Sequence, residues 1–426
     1  MSRQNIVAGI DVGNANVKTV IAEIDRENLR PRILGVGSSE STGLRKGMVV
    51  DMEEAIGNVR QSVAKAESMA GVKVKRAYVS INGLHIKNQV SKGVVAVSRA
   101  DNEISSNDIE RVIEAASVVS LPANRQKIHV LPKNFVVDGH EHVRDPLGMK
   151  GVRIEADVLI IDGLSPYIHN LAKCINENDI EIAEFVFSPL AAAKAVLDKG
   201  QREHGVLCLD FGGGVSNLAL FSEGDLIHAS VLPIGSRHIT NDLAVALRSS
   251  MDIAEQAKIQ FGSLNEARAV NKNDRLGSKN IRKDEIDLSE LMGEENFIIP
   301  RKQISKVIEA RVHELFDMVG NEIKKINYTK IIPAGIILCG GGSNLAGIAS
   351  FARDKINLPV RLSNYSSFDG MVDQVNDLSF AVAAGLVLWG IEKEGSDLGF
   401  KGSNVLNFKN NNLIKKTGDW LKNFLP

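Results

Sequence analysis

The sequence predicts an α/β protein built from two duplicated halves, with a small α+β unit inserted in the first. Three features carry this expectation. Residues 6–22 (IVAGIDVGNANVKTVIA) and 206–221 (VLCLDFGGGVSNLALF) share one plan, an apolar strand ending in Asp-x-Gly, a tight polar turn and a second apolar strand. Behind each copy, strand-like and helix-like segments alternate, as layered α/β folds require. Residues 84–156 interrupt that alternation inside the first half.

In chain order, strands 5–10 and 17–22 flank a turn at 11–16. A third apolar run covers 33–38, an amphipathic helix lies near 52–69 and a strand at 76–81. The interruption holds alternating segments, a helix near 106–118 and a Pro/Gly/Asp-rich stretch at 132–151. Structureless loops of that length are rare, so it reads as an inserted domain. The pattern resumes with strand 157–162, helix 166–177, strand 182–187 and helix 189–198. After the second hairpin come helices near 236–247 and 251–260, a polar, charged segment at 263–302 and a long helix near 303–325. Strand 335–339, a glycine cluster at 340–342 and a helix at 377–393 close this part.

The 426 residues suit a few compact units, and 44% hydrophobic with 24% charged residues can bury a sizeable core. A net charge of −1 and only 5% aromatics argue against a nucleic-acid partner. Cys174, Cys208 and Cys339 have no metal-like spacing and form no disulfide framework, which suits a reduced compartment. The N-terminal MSRQNIVAGID lacks a signal-peptide core, and no uncharged apolar window is long enough to span a bilayer.

Two facing hairpins of this kind suit phosphate chemistry. Gly13, Gly212, Gly213 and Gly214 let the backbone approach a ligand and take positive φ, so that N–H groups line a phosphate. Asp11 and Asp210 aim carboxylates at one point, and magnesium suits such a point because it keeps several waters and needs few protein carboxylates. The expected ligand is a Mg–nucleotide clamped between the halves. Lys18, Asn14 and Asn16 would add donors, and Ala15, Val215 and Ser216 would complete the two turns. A third cluster, ILCGGGSNLAGI (337–348), follows a strand and opens a helix, so Gly340, Gly341, Gly342 and Ser343 would admit a flat ring or sugar. In AEQAK, Glu255 and Lys258 share a helical face, either as a solvated ion pair or as a grip on ribose hydroxyls.

The C-terminal LIKKTGDWLKNFLP places Leu413, Thr417, Trp420, Leu421, Phe424 and Leu425 near one helical face, with Ile414 at its edge. Lys415, Lys416, Lys422 and Asp419 lie largely elsewhere. Such a helix either docks on its own domain or lies in a bilayer interface. The tether-like 394–412 stretch and the basic-plus-tryptophan composition favour the bilayer. Each lysine near an anionic surface contributes about 1 kcal/mol, so one helix binds weakly and an array binds firmly.

The order of GIDVGNANVK, LDFGGGVSN, AEQAK and LCGGGSNLAG resembles the actin, heat-shock chaperone and sugar kinase ATPase superfamily across residues 5–395. There these elements are two phosphate loops, a ribose/adenine contact and an adenosine loop. Within it, ERVIEAA, LPANRQKIHVLPKNFVVDG and DPLGMKGVRIEADVLII resemble the small subdomain inserted in the first half of the FtsA family. The resemblance implies a duplicated actin-like ATPase fold with the nucleotide cleft between its halves, and ATP and Mg2+ as cofactors. It divides the chain into a first half (1–83 and 157–202), the insertion (84–156) and a second half (203–245 and 313–395) with its own small subdomain (246–312). A linker (396–412) and a membrane-targeting helix (413–426) follow. It further implies a protein that polymerises on the cytoplasmic face of the bacterial plasma (inner) membrane at the septum. There it would anchor the ring of FtsZ, through a surface in 246–312 with Arg301 as candidate residue, and help recruit later division proteins. A pilus-assembly actin homologue is the alternative, and the terminal basic-aromatic helix discriminates against it.

Two departures from the superfamily bear on catalysis. Ser188–Pro189 stands where chaperones carry Glu-Pro, and Val215 where their second phosphate loop carries Thr. Serine without a partner is a poor base and valine donates no hydrogen bond, so hydrolysis is expected to be slow at most.

Overall fold

The chain opens with the antiparallel hairpin β1 (Ile6–Val12) and β2 (Asn16–Ile24), then β3 (Pro31–Glu40), the short pair β4 (Leu44–Arg45) and β5 (Met48–Val49), helix α1 (Met52–Ala70) and β6 (Arg76–Ile81). The structure is a computed structural model that describes residues 6–24, 31–264, 284–293, 296–326, 332–364, 368–370, 375 and 377–397. Helix α1 starts where the Asp51 carboxylate accepts the Glu54 N–H, and it stops at Gly71, whose φ is 68°. Its buried stripe of Ala55, Val59, Val63 and Ala66 covers β2 and β3.

Next come β7 (Lys87–Ala96), α2 (Ser106–Ser117), β8 (Arg125–Val137), β9 (His140–Val143) and β10 (Arg153–Leu164). The first half resumes with α3 (Ser165–Asn176), β11 (Glu181–Phe187), α4 (Ser188–Val196) and α5 (Lys199–His204). The second hairpin is β12 (Val206–Phe211) and β13 (Ser216–Ser222), continued by β14 (Asp225–Leu232), α6 (Ser236–Leu247) and α7 (Met251–Phe261). Then follow β15 (Glu285–Asp287), α8 (Ser289–Met292), β16 (Ile298–Pro300), α9 (Arg301–Lys325), β17 (Ile336–Cys339), α10 (Ile348–Ile356), β18 (Val360–Leu362), β19 (Asp369–Gly370) and α11 (Ala381–Asp397).

The duplication extends from the hairpins to the sheets. One sheet has the order β11-β6-β1-β2-β3-β19 and the other β18-β17-β12-β13-β14. In each, the hairpin's first strand has an antiparallel partner on one side and a parallel one on the other, β1 with β6 and β12 with β17. The registers also correspond, with Asp11 opposite Lys18 and Asp210 opposite Asn217. Both hairpin strands are central in their sheets, which is why they read as continuous apolar runs. A single core under the second sheet joins Leu209, Leu243, Ile308, Val312 and Phe316.

Among the described residues, 88–162 and 391–397 form a unit of their own, apart from 6–87 with 163–390. Its sheet runs β7-β10-β8-β9, and α2 packs Ile109, Val112, Ile113 and Ala116 against Phe135, Ile154 and Val158. The Pro/Gly/Asp-rich stretch from 132 begins inside β8. Pairing with β9 starts only at Phe135, so Pro132 lies beyond it, in the kind of position where strands tolerate proline. The polar segment 263–302 also holds regular structure, since β15 and β16 pair there. The third glycine cluster does not open an α-helix directly. It forms a 3-10 turn at Gly341–Asn344, and α10 begins behind Gly347, whose φ is 85°. The linker from 398 onward and the 413–426 helix lie outside the described residues.

Candidate functional site

The two hairpin acids face a shared, poorly hydrated place. Asp11 is the penultimate residue of β1, and its Oδ1 accepts a hydrogen bond from Ser80 Oγ at 2.7 Å, while Ser80 Oγ accepts the Val12 N–H at 2.9 Å. Burial pushes the Asp11 carboxyl up to about 6, against the lowering influence of Ser80 and Lys18, and Asp210 raises it further. Burial likewise raises Asp210, whose Oδ2 accepts from Asn217 Nδ2 at 2.8 Å. Lys18 is buried with them and held below its ordinary range, chiefly by desolvation. Its Nζ donates to the Ser379 carbonyl at 2.7 Å and lies 4.8 Å from the Phe380 ring centre.

The turns of the hairpins touch. A Cβ added to Gly213 would stand 2.6 Å from the Ala15 Cβ, and one on Gly214 would stand 2.7 Å from Asn14 Cγ. This corrects one expectation. Gly13, Gly212, Gly213 and Gly214 do not take positive φ, and of the glycines singled out in the loops only Gly340 does, at 84°. Gly213 and Gly214 serve close approach, since side chains there would drive the turns apart. The first turn of α6 closes over the second loop, with Ser236 N–H donating to Gly212 O and Arg237 N–H to Gly213 O, both at 2.8 Å.

Several of the expected loop residues are held by contacts inside the protein. Asn14 Oδ1 accepts the Gly47 N–H at 2.9 Å. Asn16 begins β2, and its carbonyl would stand 2.7 Å from a Cβ on Gly13. Val215 and Ser216 are buried, and Ser216 Oγ donates to Ile234 O at 2.6 Å. At the third loop, Gly340 sits so close to Asp210 that a side chain there would collide with the carboxylate, and its N–H donates to Leu378 O at 2.9 Å. Ser343 Oγ donates to Cys339 O at 2.5 Å. Asp377 links this loop to Lys18, because its Oδ1 accepts from Asn344 Nδ2 and the Ser379 N–H while its charge acts on Lys18.

Glu255 and Lys258 pair at 2.7 Å, and both bind Thr240 Oγ1, at 2.5 and 2.9 Å respectively. The chain leaving α7 then docks on the third loop through Leu264 N–H to Ala346 O at 2.9 Å. A cavity of ≈ 530 Å³ opens there, lined by Asn344, Leu345, Gly347 and Arg353 among others. Ser188 is buried and donates to Ile81 O at 3.3 Å, so its hydroxyl is turned to the backbone. Arg301 opens α9, with its N–H on Asp284 O at 2.7 Å. The residues from Leu413 to Leu425 proposed to touch a membrane lie outside the described residues, and among the described ones no helix is long and apolar enough to cross a bilayer.

Sequence reasoning missed Ser80, Asn217 and Asp377. Ser80 carried a faint signal, as the lone hydroxyl in the apolar run AYVSI of a central strand. Magnesium passes a restricted test. Among the described residues no three acids, histidines or cysteines cluster to hold a metal by themselves. Two raised carboxylates, and Asn217 Oδ1 buried without a hydrogen-bond partner, instead leave room for a cation that arrives with other ligands and is met through water.

Two sheets of one strand order, joined by hairpin turns that bring an acid from each half together, define an actin-like ATPase fold. Solved structures share it. The PilM–PilN type IV pilus biogenesis complex matches with a TM-score of 0.64 at 16% identity, over 90% of this chain and 98% of that one. MreB5 of Spiroplasma citri bound to ADP matches with a TM-score of 0.53 at 15% identity, over 93% and 99%. At such identities the likeness is one of fold. Sequence is more specific. Residues 83–162 match the SHS2 domain inserted in FtsA, and residues 207–385 match the cell division protein FtsA. The chain is 34% identical to the cell division protein FtsA of Borreliella burgdorferi over 99% of both chains. It is also 34% identical to that of Bacillus subtilis, over 94% of this chain and 88% of the relative. The chain belongs to the FtsA family of cell division proteins.

Proposed function

We propose that this cell division protein binds Mg–ATP between its two hairpins and works as a membrane-bound, actin-like filament. The observation that carries the nucleotide reading is the convergence of Asp11, Asp210 and Lys18 under touching glycine turns. Two carboxylates raised by burial favour a cationic guest, and a nucleotide's phosphates need one as a bridge. Magnesium bound there would neutralise phosphate charge, with Asp11 and Asp210 holding its water shell. Lys18 would turn part of its positive field to the phosphates, and Glu255 with Lys258 would meet the ribose. The third loop would border the base. The ADP seen in the MreB5 structure supports this reading of the shared fold. With Ser188 turned to the backbone and Val215 in the second loop, turnover would be slow at most.

In this reading, 1–83 with 157–202 and 203–245 with 313–395 are the actin-like halves, 84–156 supplies filament contacts and sites for later division proteins, and 246–312 with Arg301 meets FtsZ. The 396–412 linker would let the 413–426 helix reach anionic lipid at the cytoplasmic face of the division septum. Polymerisation would multiply a weak anchor into a firm one. Co-sedimentation with anionic vesicles, with and without Mg–ATP, tests this on the full chain and on a chain ending at Asn412. Tail-dependent pelleting that grows with ATP and protein concentration is expected. Equal pelleting of both chains, or none by either, would overturn the anchored-filament reading.

A further inference from the structure

Arg237 reaches across from α6 to the other half of the duplication. Its Nη1 donates to the Asn14 carbonyl at 2.9 Å and to the Ser41 carbonyl at 3.3 Å. Its own N–H holds Gly213 O at 2.8 Å, so one residue grips both phosphate loops. The Ser41 N–H bonds Ala15 O at 2.9 Å, which ties the end of β3 to the same turn. Glu40 lies 3.7 Å from Nη2, but the two side chains are 73% and 40% exposed, so that ion pair contributes little. The two carbonyls are the substantive partners. Both belong to backbone fixed by other hydrogen bonds, and bonds from a charged donor are the stronger kind.

We infer that Arg237 is a latch across the cleft that governs nucleotide exchange without being a ligand contact. The inference rests on the nucleotide reading above. A guest lying between the loops can neither enter nor leave until they separate, and separating them breaks both Nη1 bonds. Those bonds join one loop to the other and leave the guest out, so they oppose opening for entry as well as for release. An interaction equally present in the free and bound states changes rates without changing affinity. A residue that touched the phosphates would instead alter affinity and release together.

Stopped-flow kinetics with a fluorescent ATP analogue and Mg2+ separate these cases. Arg237→Ala should speed both uptake and release by about tenfold, with the dissociation constant changed less than about threefold. Arg237→Lys, which brings a single ammonium to carbonyls that the guanidinium spans, should fall between. Glu40→Ala should match the wild type. Unchanged release in Arg237→Ala, or faster release with affinity weakened by the same factor, overturns the latch. Should Arg237→Ala melt at lower temperature without nucleotide, the lysine variant decides, with intermediate rates in support and wild-type rates against. Amide hydrogen exchange in the nucleotide-free protein tests the latch separately from ATP. Faster exchange at Ser41 in Arg237→Ala supports it and unchanged exchange overturns it, whereas failure of the wild type to bind the analogue defeats the nucleotide reading itself.

Discussion

Asp210 and Asp108 are both buried aspartates, 6% and 0% exposed, yet their surroundings treat them in opposite ways. Asp210, in the second hairpin, is raised by burial, with the Asn217 amide and the Lys18 charge offsetting only part of the cost. Burial would raise Asp108 in the inserted unit too, but hydroxyl and N–H donors from Ser105 and Ser98 outweigh it and hold the carboxyl well below the usual range. Arg111 adds an ion pair at 3.1 Å. Ser105 caps α2 by accepting the Asp108 N–H, and the Asp108 carboxylate accepts the Ser105 N–H in return. A structural acid thus arrives with its donors already in place. An acid kept short of donors, beside an amide oxygen with no partner, marks where something else completes the set.

The sharpest way to break this contrast is to neutralise each acid. Asp210→Asn should weaken Mg–ATP binding by roughly 100-fold, about 3 kcal/mol, while leaving the nucleotide-free melting temperature equal or higher. Isothermal titration and a thermal melt on one preparation check both halves of that statement. Asp108→Ala should do the reverse, costing about 2 kcal/mol in a urea titration with ATP affinity unchanged. If Asp108→Ala instead abolished nucleotide binding in folded protein, the division between structural and functional acids would fail.

A third comparison lies in the pH profile of the nucleotide-free protein. A carboxyl raised by folding binds its proton more tightly in the folded state. Stability from Asp11 therefore falls as pH rises from 3.8 to about 6 and is level above that. Asp108 behaves oppositely, its contribution being full above 3.8 and lost as pH falls through that value and below. His129, pushed down to about 3 by burial, also costs stability as pH falls below 6.5. Subtracting the profile of Asp11→Asn isolates the Asp11 contribution, expected to be about 2 kcal/mol after allowance for its partial exposure. A flat difference between pH 4 and 6 would mean that Asp11 is as well hydrated as a surface acid.

What the sequence made legible was local. The hairpins could be read because Asp-x-Gly turns and their flanking strands are short-range features, and each occurs within seventeen residues of chain. Helices α1 and α2 were readable for the same reason. The partners that complete the site were not. Ser80 lies 69 positions from Asp11 and meets it because β6 pairs with β1, and the Arg237 guanidinium lies 223 from Asn14 and meets it where the two hairpin turns touch. Positive φ in the two turns was expected of the glycines as a residue type, yet the use of Gly213 and Gly214 is set by the opposite turn, which no single turn can reveal. The β15–β16 pair was hidden because three-residue strands in a charged segment carry too little periodicity.

The two halves repeat one strand order and one register, and they differ at a telling place. Opposite Asp11 stands Lys18, whereas opposite Asp210 stands Asn217. A cleft with matching turns on both walls would accept an elongated guest head-first or tail-first with equal ease. A cation on one wall and an amide on the other remove that equivalence. A nucleotide bound between the turns, as proposed, would then lie in only one sense, set by a difference of one residue.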